Sequence, residues 1–101
     1  MIYTYLAIDD GLAHTLDPRH VFGPGYEGEE GEHSFTHEDG WTIKGTVSED
    51  WVYWVNDFEA THPNFGWVRG NFEIGVRARS KRGFDHFLAH HAPDNWDYYD
   101  I

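Results

Sequence analysis

The stretch HSFTHEDGWTIKG, residues 33–45, has the pattern of a β-hairpin. Apolar and polar residues alternate on both sides of a loop at residues 38–40, and the glycine that ends this loop suits the left-handed position of a three-residue hairpin connection. With this loop Phe35 lies opposite Ile43, whereas a two-residue turn would set Phe35 against Lys44 and mix the two faces. The sequence therefore predicts two paired strands with one shared apolar face.

A third strand is predicted directly after this hairpin. Residues 48–50 are polar and indicate the next turn, which would bring residues 51–55 back beside residues 43–47 as a three-stranded meander. Val52 and Trp54 then lie on the face of this strand that points away from the apolar face of the meander. Because a further apolar element is available to pack there, we expect that second face to be covered rather than exposed.

The rest of the chain adds further strands and one helix. Residues 67–79 alternate apolar and polar side chains without a break, which predicts one half-buried antiparallel strand. Residues 84–91, FDHFLAHH, repeat apolar side chains at helical spacing, and Pro93 follows. Residues 2–8 indicate an N-terminal strand, whereas the tail 94–101 shows no clear period.

These segments predict an α+β fold with one domain over residues 1–101. We expect a mostly antiparallel sheet of about four to five strands with a central meander, and one short C-terminal helix. Residues 23–31 form an acidic, glycine-rich loop in this scheme, because Gly, Pro and Glu alternate there.

Charge is unevenly distributed along the chain. Its 101 residues include 18 Asp and Glu but only 7 Lys and Arg, which gives a formal net charge of −11. Five of the cations lie within residues 69–84, so that segment has a charge of +4, while residues 1–68 have −11 and residues 85–101 have −4. Such a field repels nucleic acid and anionic membranes and speeds encounters with basic proteins.

From this charge we expect a non-catalytic protein that binds a basic surface of a nucleic-acid-handling protein, such as a nuclease, and inhibits it by mimicking nucleic-acid phosphates. Phage inhibitors of restriction or CRISPR systems and nuclease-immunity proteins belong to this physical class. Carboxylates would supply complementary charge and an aromatic side chain a buried anchor. The predicted partner-binding residues are Tyr26, Glu27, Glu29, Glu30, Glu32, Glu38, Asp39, Glu49 and Asp50.

The eight histidines offer an alternative function. His86 and His90 lie four residues apart on the predicted helix and could bind one metal ion together, as in a His-rich metal-binding protein or a small enzyme. Spacing fixes no third ligand, and the HExxH motif is absent. We therefore expect no cofactor and no metal site, and keep His86 and His90 as the candidates if a metal does bind.

A second alternative is an aromatic module that binds a small ligand or a carbohydrate. Aromatic rings on a sheet can stack on sugars, although the same side chains also build cores. The tryptophans that suggest this function are Trp41, Trp51, Trp54, Trp67 and Trp96.

Several other classes are disfavoured by composition. There is no cysteine, which excludes disulfides and thiolate metal sites. Neither a GxSxG elbow nor a phosphate-binding glycine loop occurs. No apolar run approaches the roughly 20 residues of a membrane span, and the N-terminus lacks the basic segment of a signal peptide. A cytoplasmic protein with no membrane contact is expected.

Histidine protonation would change the charge on which partner binding depends. Eight added positive charges would bring −11 to −3. Because unperturbed histidine titrates near neutral pH, binding to a basic partner should weaken between about pH 7.5 and 5.5.

Overall fold

The computed structural model describes residues 5–7, 16–50, 52–71, 75–91 and 98–100, and the side chains within 16–49, 55–71 and 76–91. In chain order the elements are β1 (Tyr5–Ala7), α1 (Pro18–Val21), β2 (Gly31–Thr36), β3 (Thr42–Asp50), β4 (Val52–His62), β5 (Gly66–Asn71), β6 (Gly75–Ala78), α2 (Lys81–His91) and β7 (Tyr98–Asp100). Five strands form one antiparallel sheet in the order β2-β3-β4-β5-β6, and β1 pairs with β7. The predicted α+β fold, a single compact domain with a short C-terminal helix, is confirmed.

The β2–β3 hairpin has the predicted loop and register. Phe35 pairs with Ile43, and the amide of His37 donates to the carbonyl of Trp41 at 2.8 Å to close the three-residue loop. Gly40 has a φ of 100°, the left-handed region that this loop requires. The register sets which face of the hairpin is apolar, since a slip of one residue would turn every side chain over.

The second hairpin turns later than predicted. Residues 48–50 belong to β3, and Val55 pairs with Val47 instead of lying beside Ile43. The prediction of a turn at residues 48–50 is therefore wrong. Polar residues there are compatible with a strand because Ser48 is only half-buried and Glu49 is exposed.

A β-bulge explains why the apolar pattern of β4 was misleading. Asn56 has no partner in the ladder, because the register shifts between Val55 and Asp57. The extra residue exchanges the two faces of the strand, so Phe58 and Ala60 join Val55 in the core. A longer strand pair thus buries apolar residues that the shorter meander would have left outside.

The side chains of Val52 and Trp54 lie outside the described residues. The backbone of both is described, and it pairs with β3 near the turn that joins the two strands. The expectation that their face is covered therefore stays a prediction.

Residues 67–79 form two strands and not the single strand predicted. β5 and β6 pair antiparallel, with Val68 opposite Ala78 and Arg69 opposite Arg77. In this register even-numbered positions face even-numbered ones and odd face odd. The alternation therefore has the same parity in β5 and β6, and a strand and a hairpin look the same in the sequence.

One face of the five-stranded sheet is buried by the helices. Asp17 caps α1 by accepting a hydrogen bond from the amide of Arg19 at 2.9 Å, and proline begins the helix. The predicted apolar stripe of α2 is confirmed, and Phe87 stacks on Phe58 with ring centroids 5.6 Å apart. The buried core comprises Leu16, Val21, Phe22, Trp41, Ile43, Val47, Val55, Phe58, Ala60, Val68, Val76, Ala78, Phe84 and Phe87.

The two terminal strands form a small antiparallel pair, in which Tyr5 lies opposite Asp100 and Ala7 opposite Tyr98. β1 falls inside the predicted N-terminal strand, and the other residues of that prediction lie outside the described ones. β7 occupies part of the tail that shows no period, because three residues are too few to display an alternation. In the described part of the chain, neither helix has the length and apolar character that crossing a membrane requires.

Gly83 provides a test of the packing of α2. Replacing glycine by alanine inside a helix usually raises stability, by up to about 1 kcal/mol. Here the added Cβ would overlap the carbonyl oxygen of Phe65, a backbone atom that cannot move aside cheaply. We expect Gly83→Ala to lower the free energy of unfolding by about 1–3 kcal/mol, measured by urea denaturation followed by tryptophan fluorescence.

Gly25→Ala is the matched control. A Cβ at Gly25 would have no atom within 4 Å, so this substitution should leave the free energy of unfolding unchanged or slightly raised. A Gly83→Ala protein as stable as the original would show that α2 does not pack against Phe65 as described.

Candidate functional site

The acidic loop at residues 23–31 is attached to the sheet near its C-terminal end. The carboxylate of Glu30 accepts a hydrogen bond from the amide of Glu49 in β3 at 3.1 Å. The Nε2 atom of His33 donates to the carbonyl of Glu29 at 3.0 Å. These contacts bring the loop, the start of β2 and the end of β3 together at one end of the sheet.

Five of the predicted partner-binding carboxylates lie at this end, and we call them the acidic end: Glu27, Glu29, Glu30, Glu32 and Glu49. All five side chains are exposed. The ion pairs within the described residues lie elsewhere, at Arg69–Glu59 and Lys81–Asp85. The acidic end therefore presents about five unneutralised charges over a short stretch of surface.

The other predicted partner-binding residues lie apart from the acidic end. Glu38 is exposed in the loop at the far end of β2; at about 3.3 Å per residue, the six-residue strand separates the two ends by about 20 Å. Asp39 is half-buried in the same loop. The side chain of Asp50 lies outside the described residues.

Tyr26 packs inward rather than outward. Its ring centroid lies 6.2 Å from that of Phe22 and 5.0 Å from that of His33, and the ring contacts the edge of the core. The hydroxyl is buried and has no hydrogen-bond partner among the described residues. Burial raises the pKa of this hydroxyl. Tyr26 holds the loop to the domain in this arrangement.

Asp39 is the centre of a polar cluster at the opposite end of the β2–β3 hairpin. One carboxylate oxygen accepts from the amide of Trp41 at 3.1 Å, and the other accepts from Nε2 of His91 at 2.7 Å. Its backbone carbonyl accepts from Nε2 of His62 at 2.7 Å. Burial by itself would raise the pKa of Asp39, but the hydrogen bond from Trp41 and the nearby His91 outweigh it, and the pKa is lowered.

His91 links this carboxylate to the surface. A carboxylate only accepts, so His91 carries its hydrogen on Nε2, and its Nδ1 must accept from Nε2 of His20 at 2.9 Å. His20 is exposed, whereas His91 is only 8% exposed. His37 also packs against His91, with ring centroids 4.3 Å apart. Burial lowers the pKa of His91 to about 4, so this ring is neutral at physiological pH.

A second histidine, His86, is held by the buried Trp41. The indole Nε1 of Trp41 donates to Nδ1 of His86 at 2.8 Å. Burial, together with the neighbouring His90 and His62, lowers the pKa of His86. The charge change expected from eight histidines between about pH 7.5 and 5.5 is therefore too large, because the pKa of His91 lies at about 4 and that of His86 is also lowered.

The structure does not bring the metal candidates into a ligand group. The rings of His86 and His90 are close, with centroids 4.5 Å apart. The Nδ1 atom of His86 is occupied by the bond from Trp41. Among the described residues no set of three or more histidine, aspartate or glutamate side chains has an arrangement that could hold a metal ion.

The sheet face opposite the core, which we call the open face, has polar side chains and a groove of about 870 Å³. Trp67 lines this groove and is half-buried, with the guanidinium of Arg69 4.1 Å from its ring centroid. Of the tryptophans that suggested a ligand module, Trp41 is fully buried. The side chains of Trp51, Trp54 and Trp96 lie outside the described residues.

Sequence reasoning missed two groupings of side chains. His20 and His91 are 71 positions apart, so no local spacing could join them. Lys44, Arg69 and Arg77 line the groove together, although they lie on three strands. The hairpin registers were the only signal that could have placed them on one face, but the predicted β3–β4 register is wrong and the β5–β6 hairpin was not predicted.

The comparisons with other proteins add no assignment to this geometry. The chain matches no family model, no curated protein and no solved structure. Chemically, the Asp39–His91–His20 chain can hold or pass a proton, but within the described residues no histidine bonds to a serine or threonine hydroxyl. A hydroxyl nucleophile activated by histidine is therefore not present in the described part of the chain.

The neutral state of His91 makes stability depend on pH. The pKa of His91 is about 4 in the folded protein, against about 6.5 for an unfolded histidine. As pH falls, the unfolded chain binds a proton first. The free energy of unfolding should be fully developed above about pH 6.5 and fall toward pH 4, by about 3 kcal/mol from this group. Urea denaturation at several pH values measures this slope.

His91→Gln and His90→Gln test the origin of the slope. Glutamine at 91 can still donate to Asp39 but does not titrate, so this variant should be less stable at neutral pH and lose much of the slope. His90 is exposed and next in sequence, so His90→Gln should keep it. Identical slopes in both variants would refute the assignment to His91.

Proposed function

We propose that this chain is a non-catalytic protein that binds a cationic surface of a nucleic-acid-handling protein and inhibits it. The observation that carries the proposal is the acidic end, where five exposed carboxylates have no ion-pair partner among the described residues. Elsewhere on the described surface, Asp85 and Glu59 each face a cation at salt-bridge distance. The acidic end differs from these regions because its carboxylates face no cation at salt-bridge distance, and they can therefore pair with cations of a partner protein.

The backbone of the acidic end favours competition with a polyanion. The bonds from Glu49 to Glu30 and from His33 to Glu29 hold the loop against the sheet, so little ordering entropy is lost on binding. Carboxylates on a fixed backbone can form ion pairs with the partner's arginine and lysine side chains, which otherwise contact phosphates. The partner's nucleic acid and the acidic end would then compete for one surface.

The long-range field supports the same role. A net charge of −11 raises the encounter rate with a basic protein and lowers it with nucleic acid. Electrostatic complementarity mainly sets the association rate and the choice of partner. We therefore expect binding that is fast, specific for cationic surfaces and weakened by salt.

The test is displacement of a labelled DNA duplex from purified nucleases and basic DNA-binding domains, followed by fluorescence anisotropy. Glu27→Gln, Glu29→Gln and Glu32→Gln combined should slow association with the inhibited partner by about tenfold, because three carboxylates of the acidic end lose their charge. The effect should shrink as salt is raised.

The matched control removes the same number of charges elsewhere, with Glu38→Gln, Asp57→Asn and Asp85→Asn combined. All three of these residues are exposed and lie outside the acidic end. Equal losses in both triple variants would show that only net charge matters. Failure of the original protein to displace the duplex from any member of the panel, at low salt, would refute the proposed function.

A further inference from the structure

The open face carries a row of side chains that crosses all five strands of the main sheet. Ser34 pairs with Lys44, Lys44 with Glu59, Glu59 with Arg69, and Arg69 with Arg77. We call these residues the central row. Three of the seven cations of the whole chain lie in it, and with Glu59 its net charge is +2.

Arg69 and Arg77 face each other directly across β5 and β6. Like charges at directly opposed positions destabilise a sheet. Glu59 neutralises only one of the two, through an ion pair with Nε of Arg69 at 2.6 Å. Arg77 and Lys44 are exposed and form no ion pair within the described residues. The unfavourable pair therefore persists without an internal counter-charge at Arg77.

Arg69 is held in place from two sides. The ion pair with Glu59 fixes one edge of its guanidinium, and the ring of Trp67 lies against its face with a centroid distance of 4.1 Å. A guanidinium oriented in this way can present its remaining N–H groups to an oxyanion with little loss of side-chain entropy. Arg77 supplies a second fork across the strand pair.

The groove around the central row has the dimensions of a ligand site. Its volume of about 870 Å³ lies within the range of roughly 300–1,000 Å³ typical of small-molecule pockets. Beside the two arginines the groove is lined by Asp57 and Asn71, whose carboxylate and amide can hydrogen-bond hydroxyl groups.

We propose that the open face binds a small phosphate monoester of a hydroxylated compound, such as a sugar phosphate or a nucleoside monophosphate. The phosphate lies between Arg69 and Arg77, with Lys44 on the far side of Glu59, and the hydroxyl groups face Asp57 and Asn71. A phosphate monoester carries a charge of about −1.5 to −2 near neutral pH. Because the groove as a whole is lined by three cations and three carboxylates, the match is local, to the two neighbouring guanidinium groups, and a phosphate offers them more acceptor oxygens than a carboxylate does.

The surroundings favour a small ligand over a nucleic-acid chain. Glu32 and Asp57 also line the groove, and they would repel the phosphates that flank a bound one in a longer strand. The net charge of −11 adds to that repulsion. The site is separate from the acidic end in every residue except Glu32, and it requires no protein partner.

The experiment is a two-dimensional amide NMR titration of the full chain at low salt with four probes: AMP, ribose 5-phosphate, inorganic phosphate and acetate. We expect saturable shifts at open-face amides of β4 to β6 with AMP and ribose 5-phosphate. Phosphate should bind more weakly because it lacks the hydroxyl contacts, and acetate weakest. Arg77→Gln should weaken binding of the esters by about tenfold or more.

Two further variants keep the test decisive. Arg77→Lys retains the charge but loses the fork, so it should bind with intermediate affinity. Arg19 is an exposed arginine on α1, on the helix-covered side of the sheet, and Arg19→Gln should bind within about twofold of the original protein. The amide spectrum of each variant reports whether it is folded.

Three results would overturn the proposal. One is the absence of open-face shifts with every phosphate probe. Another is an equal loss in Arg77→Gln and Arg19→Gln, which would indicate a general charge effect. The third is tighter binding of a single-stranded oligonucleotide than of AMP at the same face, which would assign the groove to a polyanion. None of these results bears on duplex displacement by the acidic end.

Discussion

The relative position of α2 and the main sheet depends on the hydrogen bonds that the half-buried Asp39 accepts. This one loop residue bonds to the start of β3 through Trp41, to the end of α2 through His91, and to the end of β4 through His62. Three elements that are distant in sequence are thereby fixed around a three-residue loop. A half-buried carboxylate that lacked the donors Trp41 and His91 would cost free energy of folding. The position of α2 against the sheet that supplies both donors is therefore favoured.

The same constraint determines the hydrogen positions in the histidine cluster. Acceptor-only partners require His91 and His62 to donate through Nε2, and Trp41 requires His86 to accept through Nδ1. The ring nitrogens named here are bonded to protein partners, so the number of histidines in the composition overstates what is available to a metal ion. His20 and His90, which pack against these rings, are exposed to solvent.

The sequence predicted the parts of the fold that depend on local pattern. Gly40 and the alternation around it determine the first hairpin, and the spacing of Phe84 and Phe87 identifies α2. The wrong predictions concern segments whose sequence pattern is compatible with two different structures. Residues 67–79 alternate equally well as one strand or as a hairpin whose two strands pair even-numbered with even-numbered positions. At Asn56 the core-facing side of β4 changes from odd-numbered to even-numbered residues within one continuous strand.

Candidate sites were predictable only where they consist of neighbours in the chain. The acidic loop is continuous, so Glu27, Glu29 and Glu30 could be found from the sequence. Glu49 lies beside them because its amide donates a hydrogen bond to Glu30. Glu38 lies apart from them because β2 separates its loop from the acidic end. The central row could not be found, since it depends on the pairing of five strands and therefore on every register in the sheet.

The unpaired Asn56 determines which residues of β4 face the core. Beyond it, Phe58 and Ala60 point into the core while Asp57 and Glu59 line the groove. Because the β3 partners of Val55 and Asp57 are adjacent residues, loss of Asn56 would remove the bulge and leave both faces of β4 as they are. Loss of a paired residue such as Glu59 would instead turn Ala60 out of the core. A chain that diverges by changes in length should therefore accept a deletion at Asn56 more readily than one at a paired position of β4.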